Sequence, residues 1–212
     1  MSVNQWHNET LGQKVVEALR KNNFDAVYFD NKEDAVEHVL KFISPGMKVG
    51  MGGSMTLKEL DILSKIEAKG AQILNHNLPG LTEEEKLEIR RQQLVSDVFL
   101  TSTNALTLDG YLVNVDGTGN RVSAMTFGPK KVLVLTGVNK IVKDTHAALQ
   151  RIQLIASPKN NKRLGYPNPC VKTGTCMDCQ GKTRICNIYS ILKRKPSKTD
   201  ITVVVIGENL GY

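Results

Sequence analysis

The chain of 212 residues is 41% hydrophobic and 23% charged, and its formal net charge is +7. This length and composition are sufficient for one well-buried core and exclude an intrinsically disordered chain. No stretch approaches the roughly 18 apolar residues of a membrane span, and the N-terminus lacks the basic and apolar regions of a secretory signal. We therefore expect a soluble cytoplasmic protein with no membrane partner.

The first half of the chain alternates helical and extended patterns. Apolar residues at helical spacing predict helices over 8–24 and 32–44, separated by the strand DAVYF. The strand KVGM then leads through a glycine turn into a helix over 54–70. After the strand AQILN, Thr82 and Glu85 have the spacing of a capping box, which predicts the start of another helix before the strand DVFLTS.

The second half begins with β-rich runs. Asp109-Gly110 and Asp116-Gly117 are typical turn pairs, so residues 106–137 are predicted to form a hairpin or meander that ends in the nearly all-apolar strand KKVLVLTG. A helix is predicted over 139–155. Near the end of the sequence, TDITVVVIG has the pattern of a strand buried on both faces.

This alternation of strands and helices predicts a three-layer α/β fold with a mostly parallel sheet. Because a buried strand follows the cysteine-containing segment, that segment is predicted to be an excursion from the sheet. We expect a single domain over 1–212, with 157–198 as a basic, cysteine-rich, metal-binding insertion. The insertion has few apolar residues, so a bound metal is expected to stabilise it.

All cysteines of the chain lie in this segment, at Cys170, Cys176, Cys179 and Cys186. Four thiols with no histidine among them favour soft, tetrahedral coordination of zinc or of a 4Fe–4S iron–sulfur cluster. The segment has one C-x2-C pair, whereas zinc ribbons usually have two, and this favours the iron–sulfur cluster. Two alternatives stay open, namely redox disulfide chemistry and unmodified structural thiols.

The same region carries the excess positive charge. Residues 159–198 contain ten lysines and arginines against one acid, whereas the rest of the chain contains 18 basic and 20 acidic residues. Only Tyr166 and Tyr189 are available there to stack on bases. We interpret the patch as a solvated surface around an anionic cluster or facing an acidic partner protein, and we do not expect nucleic acid as the partner.

A glycine loop follows the strand KVGM. Gly50, Gly52 and Gly53 precede Ser54 and Thr56, which begin a helix. Backbone N–H groups in such a turn can converge on an anion, and the helix N-terminus adds positive potential. The loop lacks the lysine of a P-loop and the third glycine of a dinucleotide fingerprint. The alternative interpretation is a tight turn in which Ser54 caps the helix.

Three motifs, GMGGSMTLKEL, TSTNAL and DGYLVNVDGTGNR, and the ending VVVIGENLGY resemble the LUD-domain family, which includes the lactate-utilisation protein C group. The resemblance is closest over residues 50–142. It implies a fold like that of the sugar-phosphate isomerases and CoA-transferases, with ligands at the carboxyl ends of strands. It also implies an association with the oxidation of lactate to pyruvate, alongside iron–sulfur partner proteins. The cysteine excursion resembles that of a LUD subgroup from anaerobic bacteria.

Carried over to this sequence, the resemblance implies a site for a small anionic ligand. Backbone amides and Arg121 would hold a carboxylate or phosphate, while Asn104 and Asp116 would orient hydroxyl groups. The alternatives are a glycine-rich turn with an exposed arginine and a local cap at Asn104. The predicted ligand-site residues are Gly50, Gly52, Gly53, Ser54, Thr56, Thr103, Asn104, Asp116, Gly117, Gly119, Asn120 and Arg121.

The sequence does not assign a catalytic residue. After Asn104 the chain offers Asp109 and Asp116 but no glutamate, which argues against a covalent acyl–CoA mechanism. His76 follows a predicted strand, where the active site of an α/β protein lies, and is a further candidate for the ligand site.

The leading hypothesis is a component of an oxidoreductase system for lactate or a related 2-hydroxy acid, with a four-cysteine iron–sulfur or zinc centre. Its candidate partners are iron–sulfur or electron-carrier proteins and a second copy of the chain. One alternative is a metal-independent sugar-phosphate or CoA-ester enzyme of the same fold. Another is a zinc-stapled regulatory or nucleic-acid-binding protein.

Overall fold

The computed structural model describes all 212 residues and contains two β-sheets with helices around them. The strands are β1 (Asp25–Phe29), β2 (Lys48–Met51), β3 (Gln72–Leu74), β4 (Val98–Thr101), β5 (Ala105–Thr107), β6 (Leu112–Asp116), β7 (Lys131–Gly137), β8 (Ile141–Val142), β9 (Ile188–Leu192) and β10 (Asp200–Ile206). The α-helices are α1 (Val3–Lys21), α2 (Lys32–Leu40), α3 (Met55–Glu59), α4 (Ile62–Ala68), α5 (Glu83–Gln93), α6 (Asn120–Thr126), α7 (Thr145–Arg151), α8 (Ser157–Leu164) and α9 (Cys170–Thr173). None of them is long and apolar enough to cross a membrane.

The larger sheet has six strands in the order β1-β10-β7-β4-β2-β3, and every neighbouring pair is parallel. Alternate side chains of its central strands point to opposite faces of the sheet and pack into different hydrophobic cores. In β7, Val132 and Val134 belong to the core that includes α1, whereas Leu133 and Leu135 belong to the core that includes α2, α3 and α4. Helices therefore cover both faces, and the predicted three-layer α/β fold with a mostly parallel sheet is confirmed.

The smaller sheet has the order β8-β5-β6-β9. Strands β5 and β6 form an antiparallel hairpin around the predicted turn at Asp109-Gly110. Strand β9 extends the hairpin, with Ile188 opposite Asp116 and Leu192 opposite Leu112. Because β5 begins shortly after β4, this sheet stands at the carboxyl edge of the central sheet.

Three predicted elements differ from the structure, and one of them is the helix predicted over 54–70, which is divided into α3 and α4 at Asp61 with a φ of +45°. The helix predicted over 139–155 starts only at Thr145, because Ile141–Val142 pairs with β5 as strand β8. The pairing partner is distant in sequence, so the helical spacing within the segment did not indicate it. The run after Asp116-Gly117, predicted to be β-rich, forms helix α6 instead, and Asp116 Oδ2 accepts a hydrogen bond from the Val122 N–H at 3.1 Å at its start.

Helix α7, a π-helical turn (Ile152–Ala156) and α8 form one continuous helix. The wider π-helical turn leaves backbone carbonyls without their usual partners. One of them, that of Gln153, accepts a hydrogen bond from the Cys176 N–H at 2.9 Å. The irregular turn is therefore a contact point for the segment that follows α8.

That segment, residues 165–187, is called the cysteine lobe and contains only the short helix α9. Asn168 anchors it, since its amide donates to Asn161 Oδ1 at 2.6 Å and to the Thr183 carbonyl at 2.8 Å. Cys186 also joins a small apolar core with Ile152. The predicted insertion over 157–198 thus shares α8 and β9 with the rest of the fold, and its metal dependence stays a prediction.

The contact between α1 and the β5–β6 turn gives a stability test. A Cβ at Gly110 would lie 2.7 Å from backbone atoms of Ala18 and Leu19, and Gly110 has a φ of +77°. Gly46 has a φ of +78° but open space around it. We expect Gly110→Ala to lower the free energy of unfolding by about 3 kcal/mol and Gly46→Ala by about 1 kcal/mol, because only the first adds steric overlap to backbone strain. Urea unfolding measures both, and equal losses would contradict the close contact.

Candidate functional site

A cleft with a volume of about 240 Å³ lies at the carboxyl edge of the central sheet. Three of its residues come from segments that follow parallel strands: Gly53 after β2, Ser102 after β4 and Lys140 after β7. The turn between β6 and α6 forms another part of the wall, and α8 a further part. In open α/β sheets, ligands bind in the crevice at this edge.

Most of the predicted ligand-site residues meet here. Those that line the cleft are Gly53, Ser54, Thr56, Thr103, Asn104, Asp116, Gly117, Asn120 and Arg121. Gly50 lies inside β2, where a Cβ would be 2.9 Å from the Phe99 side chain, and Gly52 backs onto Arg121. Gly119 starts α6 with a φ of +92°. The structure thus brings nine predicted residues together, and ligand binding by them stays a prediction.

Arg121 connects the two sheets at the cleft. Its Nη2 donates to Asn104 Oδ1 at 2.8 Å and to the Val115 carbonyl at 2.7 Å. Its Nε donates to Asp116 Oδ1 at 3.2 Å, and Nη1 lies 3.4 Å from the Ser102 carbonyl. Most of its donors are therefore used within the protein. Arg121 contributes positive charge to the cleft, but its hydrogen bonds serve to fix the wall.

The oxygen atoms of Asn104 and Asp116 are also engaged locally. Asn104 Oδ1 accepts from the Val115 N–H at 3.0 Å as well as from Arg121. Asp116 uses one carboxylate oxygen for Arg121 and the other for the N–H of Val122. Because these acceptors are occupied, both side chains shape the wall of the cleft.

Lys140 is a buried cleft residue that the sequence motifs did not indicate. It is 2% exposed, and its Nζ donates to Thr56 Oγ1 at 2.7 Å and to Ser102 Oγ at 3.0 Å. Burial, reinforced by the positive charges of Arg151 and Arg121, lowers the pKa of Lys140 to about 7. About half of such lysines are neutral at neutral pH, and the neutral amine can act as a base or a nucleophile.

Arg151 is a second buried cation near Lys140. It is 7% exposed, and it donates to the carbonyls of Asn139 at 3.2 Å and Asn104 at 2.6 Å. Burial lowers the pKa of Arg151 to about 10, so it stays charged at neutral pH. Glu59 favours the charged form of Lys140, but no acidic side chain does so for Arg151. The region behind the cleft therefore has an excess of positive charge.

His76 is a neutral imidazole in the cleft wall. Burial and then the charge of Arg90 lower the pKa of His76 to about 4, although its hydrogen bond with Gln93 opposes the shift. Its Nδ1 lies 3.0 Å from Gln93 Nε2. Gln93 Nε2 also donates to the carbonyls of Met51 at 2.9 Å and Leu74 at 2.8 Å. His76 is therefore a neutral imidazole at neutral pH, with one donor and one acceptor nitrogen.

Two more arginines, Arg90 from α5 and Arg163 from α8, line the cleft. Arg163 uses Nε and Nη2 to donate to Asn160 Oδ1 at 3.1 and 2.7 Å, and it also lies close to the phenol of Tyr212, where burial raises the pKa and the charge of Arg163 opposes the rise. The charged lining residues are the cations Arg90, Arg121, Lys140 and Arg163 and the carboxylate Asp116.

The four cysteines are all unpaired. Cys170 and Cys186 are buried, and burial raises the pKa of both thiols. The charges of neighbouring cysteines, Cys176 and Cys179 among them, raise these pKa values further. No group of three or more His, Cys, Asp or Glu side chains is arranged to hold a metal ion. The four-cysteine metal site therefore stays a prediction. The structure shows in addition that the cysteines lie close enough for their charges to raise the pKa values of Cys170 and Cys186.

The cysteine lobe shares a wall with the cleft. The thiol of Cys186 donates to Ser157 Oγ at 3.3 Å, and Ser157 lines the cleft. Tyr166 and Ile185 of the lobe line it as well. The thiols and the cleft are therefore neighbours, which the sequence did not indicate.

The cations of the cleft were missed for a physical reason. Lys140 follows strand β7 as Gly52 follows β2, and this position at the carboxyl end of a buried strand was the signal available. Arg90 and Arg163 lie on helices with ordinary surface patterns, so nothing in the sequence distinguished them from solvated arginines.

A parallel six-stranded sheet with helices on both faces and a cleft at its carboxyl edge defines a three-layer α/β protein. The sequence model of the LUD domain matches residues 12–206, and the chain therefore belongs to the LUD domain family, which confirms the resemblance found in the motifs. A similar fold occurs in a DUF162 family protein from Deinococcus radiodurans, known from a crystal structure at 1.70 Å resolution. The TM-score is 0.52 at 10% identity, over 94% of this chain and 98% of that chain, so the likeness concerns the fold alone. No curated protein sequence is significantly similar to this chain.

The protonation of Lys140 gives a spectroscopic test. We expect its side chain to titrate near pH 7, charged below and neutral above, because burial and two neighbouring arginines disfavour the ammonium form. Exposed lysines should titrate near their ordinary value of about 10.4. NMR of protein labelled with 13C-lysine measures this, and Lys140→Met assigns the signal. A Lys140 signal that titrates with the exposed lysines would contradict the burial of its charge.

Proposed function

We propose that the cleft binds a small organic anion and that the protein takes part in the oxidation of lactate or a related 2-hydroxy acid. Membership of the LUD family supports the association with lactate utilisation. The observation that carries the proposal is the excess of positive charge at the cleft.

Four cations and one carboxylate line the cleft, and Arg151 adds buried positive charge close by. A buried charge without a counter-ion costs several kcal/mol. A bound carboxylate or phosphate offsets part of this cost and accepts charge-assisted hydrogen bonds from the arginines. An anion therefore fits the cleft better than a neutral ligand.

The size of the cleft favours a short acid over a CoA ester. Its volume of about 240 Å³ lies below the roughly 300–1,000 Å³ of pockets for drug-sized ligands. No glutamate is among its lining residues to carry an acyl group. Arg90 and Arg163 are the donors suited to the carboxylate, and the neutral imidazole of His76 is suited to a hydroxyl group.

We also propose a metal centre at Cys170, Cys176, Cys179 and Cys186. The donor set fits a soft metal, and the nearby Arg184 offsets the charge of Cys186, since it lowers the pKa of that thiol. When bound there, an iron–sulfur cluster would supply one-electron transfer, whereas zinc would supply structural stability only. The basic surface of the lobe would then suit an acidic electron-carrier protein as partner.

Comparing a charged ligand with a neutral one of the same shape tests the proposed anion site. L-lactate and L-lactamide have nearly the same shape, but only lactate is an anion. We expect isothermal titration calorimetry to show binding of L-lactate and none of L-lactamide. Arg90→Gln should weaken lactate binding by about tenfold, because it removes one charge-assisted contact.

Arg91 provides the matched control. It is the next residue on α5, is exposed and pairs with Glu88, so Arg91→Gln should leave lactate affinity unchanged. Equal binding of lactate and lactamide, or equal losses in the two variants, would contradict the proposed site. Binding of a pentose phosphate in preference to lactate would favour the sugar-phosphate alternative.

Anaerobic purification with metal analysis and visible absorption tests the cysteine centre. We expect stoichiometric iron with broad visible absorption for a cluster, or stoichiometric zinc without it. The double variant Cys176→Ser, Cys179→Ser should lose the metal because two ligands are removed. Lys172→Gln, an exposed change in the same lobe, should keep it. Wild-type protein without either metal would remove this part of the proposal.

A further inference from the structure

The nitrogen of Lys140, the lysine that lines the cleft, is fixed from two sides. Nζ donates to Thr56 Oγ1 at 2.7 Å and to Ser102 Oγ at 3.0 Å. Thr56 is itself immobilised, because it is fully buried and its Oγ1 donates to the Leu210 carbonyl at 3.3 Å. The amine thus lacks the rotational freedom of an exposed lysine.

A neutral amine held in this way uses both of its hydrogens and keeps one lone pair. It carries two hydrogens, and the hydroxyls of Thr56 and Ser102 take one each. The remaining tetrahedral direction of the nitrogen holds the lone pair. The neutral form is well populated near neutral pH, because burial and the charges of Arg151 and Arg121 lower the pKa of Lys140 to about 7. Desolvation beside other cations is one known way to activate a lysine toward carbonyl compounds.

We propose that Lys140 forms an imine with a 2-oxo acid bound in the cleft, an inference that rests on the proposed binding of small organic anions there. Nζ attacks the carbonyl carbon, and a C–N bond forms as the C=O π bond breaks. The C–O bond then breaks as the C=N double bond forms, and the oxygen leaves as water with the two hydrogens that the nitrogen gives up. The step consumes no oxidant or reductant.

The ligand class follows from the groups around the amine. The carboxylate of a 2-oxo acid suits the arginines that line the cleft, and its adjacent carbonyl is the electrophile that an amine requires. A 2-hydroxy acid has the same carboxylate but no carbonyl, so it binds without a covalent bond. Lys140 therefore distinguishes the product of 2-hydroxy-acid oxidation from its substrate.

Reductive trapping tests the imine. The full-length protein is incubated with pyruvate and sodium cyanoborohydride at neutral pH, and the modified peptide is identified by mass spectrometry. We expect one reduced pyruvate per chain at Lys140, at least about tenfold above any exposed lysine, since exposed lysines are almost entirely protonated at this pH. Lys143→Met, an exposed change near the cleft residue, should keep the adduct, and Lys140→Met should lose it.

Mapping the adduct on the wild-type chain keeps the test valid even if Lys140→Met folds poorly. No adduct, or an adduct spread over surface lysines, overturns the proposal. Calorimetry with L-lactate on the same preparation distinguishes a failure of imine formation from a failure of anion binding. Lactate binding without a pyruvate adduct means that the anion site stands and Lys140 has another role, whereas loss of both removes the anion site too.

Discussion

Buried positive charge in excess of the neighbouring carboxylates is the constraint around which the cleft is organised. Lys140 donates to two hydroxyl groups and Arg151 to two backbone carbonyls, and of the two only Lys140 has an acidic side chain, Glu59, that favours its charged form. Neutral dipoles orient a cation, yet they do not cancel its long-range field. The nearby strand ends and the smaller sheet therefore enclose a volume in which a negative charge is favoured.

Some residues of the cleft form its rigid wall, which we call the frame, and others have side-chain groups that a ligand could contact. Arg121, Asn104 and Asp116 bond mainly to one another and to the backbone, and they join the smaller sheet to the strand ends of the larger one. Lys140 and His76 are held in the cleft by hydrogen bonds, and the pKa values of both side chains are lowered. Functional sites commonly combine rigid support with a few perturbed titratable groups in this way.

The sequence predicted what depends on local pattern and missed what depends on distant contacts. Strand β7 was recognisable because residues facing either core are apolar, and the glycine loop because its residue types are unusual. The start of the helix predicted over 139–155 was wrong, since Ile141–Val142 pairs with a strand from another part of the chain. The shifted pKa of Lys140 comes from burial and from the charges of Arg151 and Arg121, and although Arg121 lies in a sequence motif, no motif indicated that it approaches Lys140.

The side chain of Ser157 lies between the cleft and the cysteine lobe. This residue begins α8 beside the π-helical turn, lies in the wall of the cleft and accepts the hydrogen bond of the Cys186 thiol. Thermodynamic linkage is reciprocal, so any free-energy effect of a bound anion on thiol chemistry at Cys186 is returned equally as an effect of that chemistry on anion affinity. The single hydroxyl therefore joins the wall of the cleft to the thiol of Cys186 through one hydrogen bond.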